Sequence, residues 1–458
     1  MKSIIIAAPM SGSGKTTITI GLMECFKRRG LKVAPFKVGP DFIDPGYHRL
    51  VTGRPSLNLD AWICPEQTVR EIYAAHCADA DIAVIEGVMG LFDGISGRSD
   101  EGSTAQIARL TGSTVFLVID AKGFARSAAA FVKGFVEFDP EVKVGGIIFN
   151  NVASDSHGRL LREAVETNLP QIKVIGCIPR DSRLHIPSRH LGLLTAEENA
   201  LPADFLDYLA GVIGDSVDLG MLWAAAGGGD PMEPVAEVAP GKTVARIAVA
   251  RDAAFCFVYD TNLQLLAAAG AELVEFSPLV DSALPQGISG IYLPGGYPEA
   301  HALQLAANGA MKAAVRSAIE AGMPVYAECG GFIYLSSGVA DSLGLADPLR
   351  RFVGIFPAET VMLERRKALG YREIRLREDC ILGGKGEAAR GHEFHYSQMA
   401  AIPPEFPRLY QVSKGQNDLG LEGYRYKNCL ASYIHLHFGS NPGMAAAFVE
   451  SCRKYKGT

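Results

Sequence analysis

The chain has 458 residues, a formal net charge of −6, 48% hydrophobic residues and 21% charged residues. That length divides into two or three domains, each able to bury its own core, and excludes one small module. The composition excludes a disordered chain, and the absence of an extended basic block excludes a general electrostatic grip on nucleic acid.

The opening Ser3-Ile4-Ile5-Ile6-Ala7-Ala8 run breaks at once into Ser11-Gly12-Ser13-Gly14-Lys15 and is too short for the apolar core of a signal peptide. No other segment approaches the roughly 20 apolar residues that span a bilayer. The chain is therefore expected to be soluble, with no membrane partner and no nucleic-acid partner. Its nine cysteines, at 25, 64, 77, 177, 256, 329, 380, 429 and 452, show no Cys-x-x-Cys pairing. This argues against a zinc ribbon or a disulfide framework and fits a reducing cytoplasm.

Residues 3–8 read as a strand, a Gly/Ser turn follows, and the apolar periodicity of Thr16 to Arg28 predicts a helix. Further buried strands are expected at Val33 to Val38, Ile82 to Ile85, Thr114 to Ile119, Val144 to Phe149 and Val174 to Ile178, with helical segments between several of them. Such alternation implies an α/β fold with a doubly wound, largely parallel sheet. A helix is expected near Glu197 to Val212. Ala224 to Pro231, with Pro234, Pro240 and Gly241, then reads as a linker. Strands at Val244 to Ala250, Glu272 to Phe276, Gly290 to Leu293 and Pro324 to Ala327 begin a second α/β domain. The expected boundaries are 1–222, a linker at 223–242, and 243–458.

Gly12-Ser13-Gly14-Lys15-Thr16-Thr17 lies between strand and helix, where glycines let backbone N–H groups curl around phosphates. Lys15 would neutralise phosphate charge, and the Thr16 hydroxyl would bind magnesium. Pro9 replaces the usual first glycine of this motif, so the loop is a variant. Asp41 and Glu86 follow the second and third strands and would converge on the loop, with Asp93 joining from a glycine-rich turn. Asp41 and Glu86 are the expected carboxylate metal ligands, and all three are expected to position the acceptor. Asn150 and Asn151, or Pro179-Arg180-Asp181, would touch base or sugar; turn formation explains either group equally well.

In the second half, Ala327-Glu328-Cys329-Gly330-Gly331 reads as a strand entering a sharp turn and a helix, a geometry that exposes a thiol. The small residues leave room for substrate. The backbone of Gly330, with Gly295 and Gly296 from Leu293-Pro294-Gly295-Gly296-Tyr297, would supply oxyanion donors. Tyr433-Ile434-His435-Leu436-His437 offers two histidines on one strand face as candidate bases. In Gly391-His392-Glu393-Phe394-His395 the histidines lie three apart, so the zinc-protease spacing is absent; a helix-spaced, hydrogen-bonded structural pair is expected there, with metal or substrate binding as the alternative.

Together with Lys37-Val38-Gly39-Pro40-Asp41, Val84-Ile85-Glu86-Gly87-Val88-Met89-Gly90 and Tyr292-Leu293-Pro294-Gly295-Gly296-Tyr297-Pro298-Glu299, these motifs resemble the cobyrinate a,c-diamide synthase family along both halves. The resemblance implies an N-terminal P-loop domain like dethiobiotin synthetase and a C-terminal class I glutamine amidotransferase-like domain. It also implies ATP, L-glutamine and a corrinoid or related tetrapyrrole as partners, Mg2+ as cofactor, and two amidations through acyl phosphates. Cys329 would be the nucleophile and His435, directly after Tyr433-Ile434, its base. The family of ordinary class I enzymes places a glutamate two residues after that histidine; His437 stands there, so the third member stays open. Hydrogenobyrinate and nickel sirohydrochlorin remain alternative rings, a ParA-like nucleotide switch remains an alternative of another class, and the oligomeric state stays open, with a homodimer among the expectations.

Overall fold

The computed structural model describes residues 1–189, 192–193, 195–196, 198, 201–228, 243–340, 349–363 and 367–455. They fall into two units, Met1–Glu237 and Val238–Thr458. Among the described residues, no helix is long and apolar enough to cross a membrane.

The first unit runs β1 (Lys2–Ala7), α1 (Lys15–Arg28), β2 (Val33–Val38), α2 (Ile43–Thr52), β3 (Leu57–Leu59), α3 (Glu66–Cys77) and β4 (Ile82–Glu86). It continues through α4 (Thr104–Thr111), β5 (Thr114–Asp120), α5 (Ser127–Glu137), β6 (Val144–Val152), α6 (Asp155–Asn168) and β7 (Val174–Pro179). A hairpin, β8 (Ser188–Arg189) with β9 (Gly192–Leu193), then α7 (Ala203–Ser216), α8 (Leu219–Ala225) and β10 (Gly227–Gly228) complete it. The sheet order is β3-β2-β4-β1-β5-β6-β7, all parallel, with β10 added antiparallel to β1. Ile4, Ile5 and Ile6 are fully buried, as an unbroken apolar run must be when helices cover both faces of a sheet. Because β1 is flanked by β4 and β5, strand order reverses around it, and the crevice of such a sheet opens at that strand's C-terminal end.

Two expectations shift here. The helix expected from Glu197 starts at Ala203, because Pro202 is extended (φ −60°, ψ 151°) and α7 begins after it; residues 197, 199 and 200 lie outside the described residues. The linker expected from 223 instead begins inside α8, and Gly227 pairs with Ser3 of β1, so the first unit extends past 222. The rest of that linker, 229–242, lies outside the described residues.

The second unit runs β11 (Ala245–Ala250), α9 (Asp260–Ala268), β12 (Ala271–Phe276), β13 (Gly290–Leu293), α10 (Ala302–Ala307), α11 (Gly309–Glu320), β14 (Val325–Glu328) and α12 (Gly330–Leu335). Ten strands follow: β15 (Ser336–Ala340), β16 (Leu349–Arg351), β17 (Phe356–Met362), β18 (Ala368–Leu376), β19 (Ala388–His395), β20 (Ser397–Met399), β21 (Arg408–Lys414), β22 (Asn417–Tyr426), β23 (Cys429–Ser432) and β24 (His435–Leu436). Helix α13 (Pro442–Lys454) closes the described chain. The main sheet is ordered β12-β11-β13-β14-β23-β22-β21-β18-β19-β24. It is parallel from β12 to β23 and antiparallel beyond. The antiparallel half and the small sheet β16-β15-β17-β20 go beyond the expected repetition of strand and helix. Their exposed faces carry polar alternation, visible in β17 as Phe-Pro-Ala-Glu-Thr-Val-Met with every second residue buried at first.

Candidate active sites

In the first unit, α1 starts on Gly14, whose left-handed φ of 95° only glycine adopts cheaply, and no side chain caps the helix. The first N–H groups of α1 are thus left for an anion, at the positive end of the helix dipole. Asn150, expected to meet base or sugar, lines the crevice and also donates from Nδ2 to the Ser13 carbonyl at 3.0 Å, bracing the loop. Lys15 Nζ donates to the carbonyls of Met89 (2.7 Å) and Met10 (3.2 Å). Burial and the neighbouring Lys37 charge bring Lys15 down to about 8, against the pull of Glu86, Asp44 and Asp93.

Beneath the loop lies a charge cluster of which sequence reasoning singled out only part. The Thr16 hydroxyl donates to Glu86 Oε1 at 2.7 Å, Lys37 Nζ donates to the same oxygen at 3.0 Å, and His48 Nε2 lies 2.8 Å from Oε2. Lys37 also donates to Asp44 Oδ2 at 2.5 Å and lies 4.0 Å from Asp41 Oδ2. Lys37 is 3% exposed; burial alone would depress it, but Asp44, Glu86 and Asp41 hold it above the usual lysine range. Burial also opposes the charge of Glu86, yet Lys37, His48 and Thr16 hold its carboxyl well below the usual range. Asp41 Oδ1 accepts from the backbone N–H groups of Ile43 and Asp44, so it caps α2 while its second oxygen stays on the cluster. Asp93 Oδ2 accepts from Gly90 N at 2.9 Å and locks the turn beside the phosphate loop.

The crevice above has a volume of about 1040 Å³ and is lined by Gly12, Gly14, Lys15, Thr16, Thr17, Asp41, Glu86, Asn151 and Arg180, among others. This matches the scale of a nucleotide pocket. Asp181 also lines it, but Arg183 and Tyr208 bind its carboxylate and hold it below the usual range. No cluster of three metal-ligating His, Cys, Asp or Glu side chains occurs among the described residues. The oxygens of Thr16, Asp41 and Glu86 suit magnesium in kind, since that ion takes few protein oxygens and completes its shell with water and phosphate.

In the second unit, β14 delivers Cys329 with φ 44° and ψ −101°, a strained backbone at a strand-to-helix turn. Burial, then the charge of Glu299, pushes the thiol above its usual range, while Gly330 N–H pulls it down. Gly296 N lies 2.8 Å from where a Cβ on Gly330 would stand, so both glycines keep this corner open. Gly295 was expected to donate to an oxyanion. Its N–H instead donates to the Phe257 carbonyl at 3.1 Å, which leaves Gly296 and Gly330 as the candidate donors. Gly295 serves by lacking a side chain: a Cβ there would stand 2.2 Å from His435 Cε1.

His435 sits on β24, paired with His392 of β19, and the two rings stack at 5.0 Å. Burial brings His435 down to about 3, which keeps the imidazole neutral. Glu328, missed by sequence reasoning, places Oε2 3.9 Å from His435 Nδ1. Its oxygens accept from Tyr326 OH, Tyr292 OH and Leu436 N at 2.6, 2.8 and 2.9 Å, and burial raises it to about 7. His437 is turned away: its Nδ1 accepts from Gly439 N, and its ring packs 4.5 Å from Tyr259.

The helix spacing expected for His392 and His395 is wrong, because both lie on strand β19. His392 Nδ1 lies 2.8 Å from Tyr259 OH, and His395 Nε2 lies 2.8 Å from Glu393 Oε1.

Two family models match the chain: a CobQ/CobB/MinD/ParA nucleotide binding domain over residues 4–194 and a CobB/CobQ-like glutamine amidotransferase domain over 246–443. Proteins named cobyrinate a,c-diamide synthase are similar along the whole length. That of Syntrophotalea carbinolica is 45% identical, covering 98% of each chain. That of Priestia megaterium is 42% identical over 99% of this chain and 98% of its own. The chain belongs to the cobyrinate a,c-diamide synthase family. Members are glutamine-dependent amidating ligases with an ATP-binding half, and the amidotransferase half leaves a ParA-like switch without support.

Proposed function

We propose that this protein uses ATP and glutamine to convert the a and c acetate carboxylates of cobyrinate to amides, working in the cytoplasm. One observation carries the reading: a chain of this family holds both an uncapped phosphate loop over a buried Lys37–Glu86 cluster and an elbow thiol, Cys329, on the same unit as a neutral buried imidazole, His435.

A carboxylate resists attack by ammonia because it is anionic and lacks a leaving group. Transfer of the γ-phosphoryl group to its oxygen removes both obstacles. Lys15 and the first N–H groups of α1 hold the phosphates, Lys37 offsets charge beneath them, and Asp41 and Asp93 orient the acceptor. Thr16, Asp41 and Glu86 would hold magnesium, which offsets phosphate charge when bound. Ammonia then attacks the acyl phosphate carbon, and phosphate leaves.

The ammonia comes from glutamine. Cys329 Sγ attacks the side-chain amide carbon as its proton passes to His435, which the low basicity of a buried ring keeps ready at neutral pH. Gly296 and Gly330 N–H groups receive the oxyanion. His435 returns the proton to the departing nitrogen, and water hydrolyses the thioester to glutamate. Glu328 acts through His435 as a positioning residue, completing from the residue before the nucleophile the set that His437 does not complete.

The test is a side-by-side assay of purified protein with ATP, glutamine and cobyrinate, hydrogenobyrinate or nickel sirohydrochlorin. Diamidation of cobyrinate is expected. Turnover of nickel sirohydrochlorin alone overturns the choice of ring.

A further inference from the structure

An aromatic face borders the phosphate loop and has no part in the steps above. The loops after β4 and β5 leave the sheet on either side of β1. Phe92, from the first, stacks on Phe135 of α5 at 5.9 Å and packs 4.7 Å from Phe138. The row continues from Phe135 to Phe131 at 5.3 Å and from Phe131 to Phe124 at 5.2 Å. None of these five rings is buried, and Phe138 is 73% exposed. Helix α5 buries only Ala128, Ala129 and Val132. The row starts beside the nucleotide site, because Phe92 lies in the turn that Asp93 closes onto Gly90 N and whose Met89 carbonyl Lys15 grips. A contiguous apolar row left partly uncovered and rimmed by polar residues marks an interaction site.

Charge indicates what lies on it. Lys122 and Arg126, both exposed, flank Phe124 and make no ion pair with the described residues. An elongated apolar surface edged by cations that make no ion pair with the described residues complements a disc that is apolar on its faces and anionic at its rim. A second copy of the chain would gain little from leaving both cations without partners.

We infer that the tetrapyrrole lies on the Phe92–Phe138 row, its face against the rings and its peripheral carboxylates toward Lys122 and Arg126. The identity of the occupant rests on the function proposed above; its place rests on the geometry. Phe92 adjoins Asp93, so a macrocycle whose edge covers Phe92 presents an acetate arm to the phosphate loop. Ring-on-ring contact is weakly directional. The disc therefore has freedom to turn on the row and present first one acetate and then the other, which a single phosphorylating site requires for two amidations.

Equilibrium dialysis of cobyrinate, followed by its visible absorbance, tests this on the full chain, with ATP binding and glutaminase rate as controls for folding. Phe138→Ser should weaken cobyrinate binding about tenfold, whereas Phe138→Leu, which keeps apolar bulk, should stay within about threefold. The double variant Lys122→Ser/Arg126→Ser should also weaken it and flatten its dependence on salt. Unchanged cobyrinate affinity in Phe138→Ser and in the double variant overturns the inference. So does a dimer that Phe138→Ser splits into monomers with affinity intact, since the row is then an interface between copies. If the unaltered protein binds nickel sirohydrochlorin but not cobyrinate, and Phe138→Ser weakens that binding, the choice of ring fails and the row stands. If it binds no tetrapyrrole, both fall.

Discussion

Glu328 and His435 lie 3.9 Å apart, carboxylate Oε2 to imidazole Nδ1, with both side chains buried. The gap exceeds a hydrogen bond, and Tyr292, Tyr326 and the Leu436 N–H already donate to the carboxylate. Its effect on the ring is therefore one of charge. Because burial raises Glu328 to about 7, that charge develops within the working pH range.

The first prediction follows. As pH rises through about 7, Glu328 ionises and stabilises the imidazolium formed when Cys329 attacks, so glutaminase kcat/KM should climb there. Glu328→Gln should lower the plateau about tenfold to a hundredfold and remove that climb. Synthesis from added ammonia should be unchanged. A variant whose pH profile keeps its inflection near neutrality shows that Glu328 plays no such part.

Gly295→Ala would put a methyl group 2.2 Å from His435 Cε1. The ring must move, and a misplacement of this order at a reacting group costs about a hundredfold in rate. Glutamate release should fall accordingly while ammonia-dependent synthesis persists. Full glutaminase activity in this variant would mean that the imidazole is mobile.

Cys329→Ala should abolish glutamate release yet make diamide from high external ammonia. Asp41→Asn should lose synthesis with either nitrogen donor, because it acts where the carboxylate is phosphorylated. Separate sites are the wrong description if folded, ATP-binding Cys329→Ala is inactive with ammonia.

Glu422 is a second acid in the same unit, half-buried, raised by desolvation to about 7 although the Ser432 hydroxyl and the Tyr433 N–H donate to it. The folded state keeps its proton to higher pH than the unfolded state does. Its contribution to stability is therefore present below about 4.5 and lost as pH rises to about 7, a change of about 3 kcal/mol. Glu422→Gln should remove that share of the loss between pH 5 and pH 8 in urea unfolding; parallel curves for both proteins would contradict it.

The phosphate loop, Asp41, Glu86 and Cys329 were legible because each stands at the C-terminal end of an apolar strand, where local sequence announces both the turn and its chemistry. Lys37 carried a signal that was passed over: a lysine inside the apolar run Val33 to Val38 has to be paired when the strand is covered on both faces. Glu328 was missed because the partner of His435 was sought beside the histidine, whereas sheet pairing brings it from a strand more than a hundred residues earlier. Bonds such as Gly295 N–H to Phe257 and Asn150 to Ser13 depend on which loops meet, and no local pattern encodes that. The antiparallel strands from β17 to β22 were obscured by their half-polar faces, which read as loops beside the continuous apolar strands of the parallel half.

The two residues of β24 form the terminal rung of a ten-stranded sheet, held there by β19. Gly391 presses so closely on His435 that a Cβ would stand 1.9 Å from its carbonyl oxygen. Nitrogen supply thus has a tuning screw remote from the sulfur: any side chain introduced at position 391 pries two backbones apart and swings the proton carrier off its target, throttling glutamine use while leaving the ligase half to run on whatever ammonia the surroundings provide.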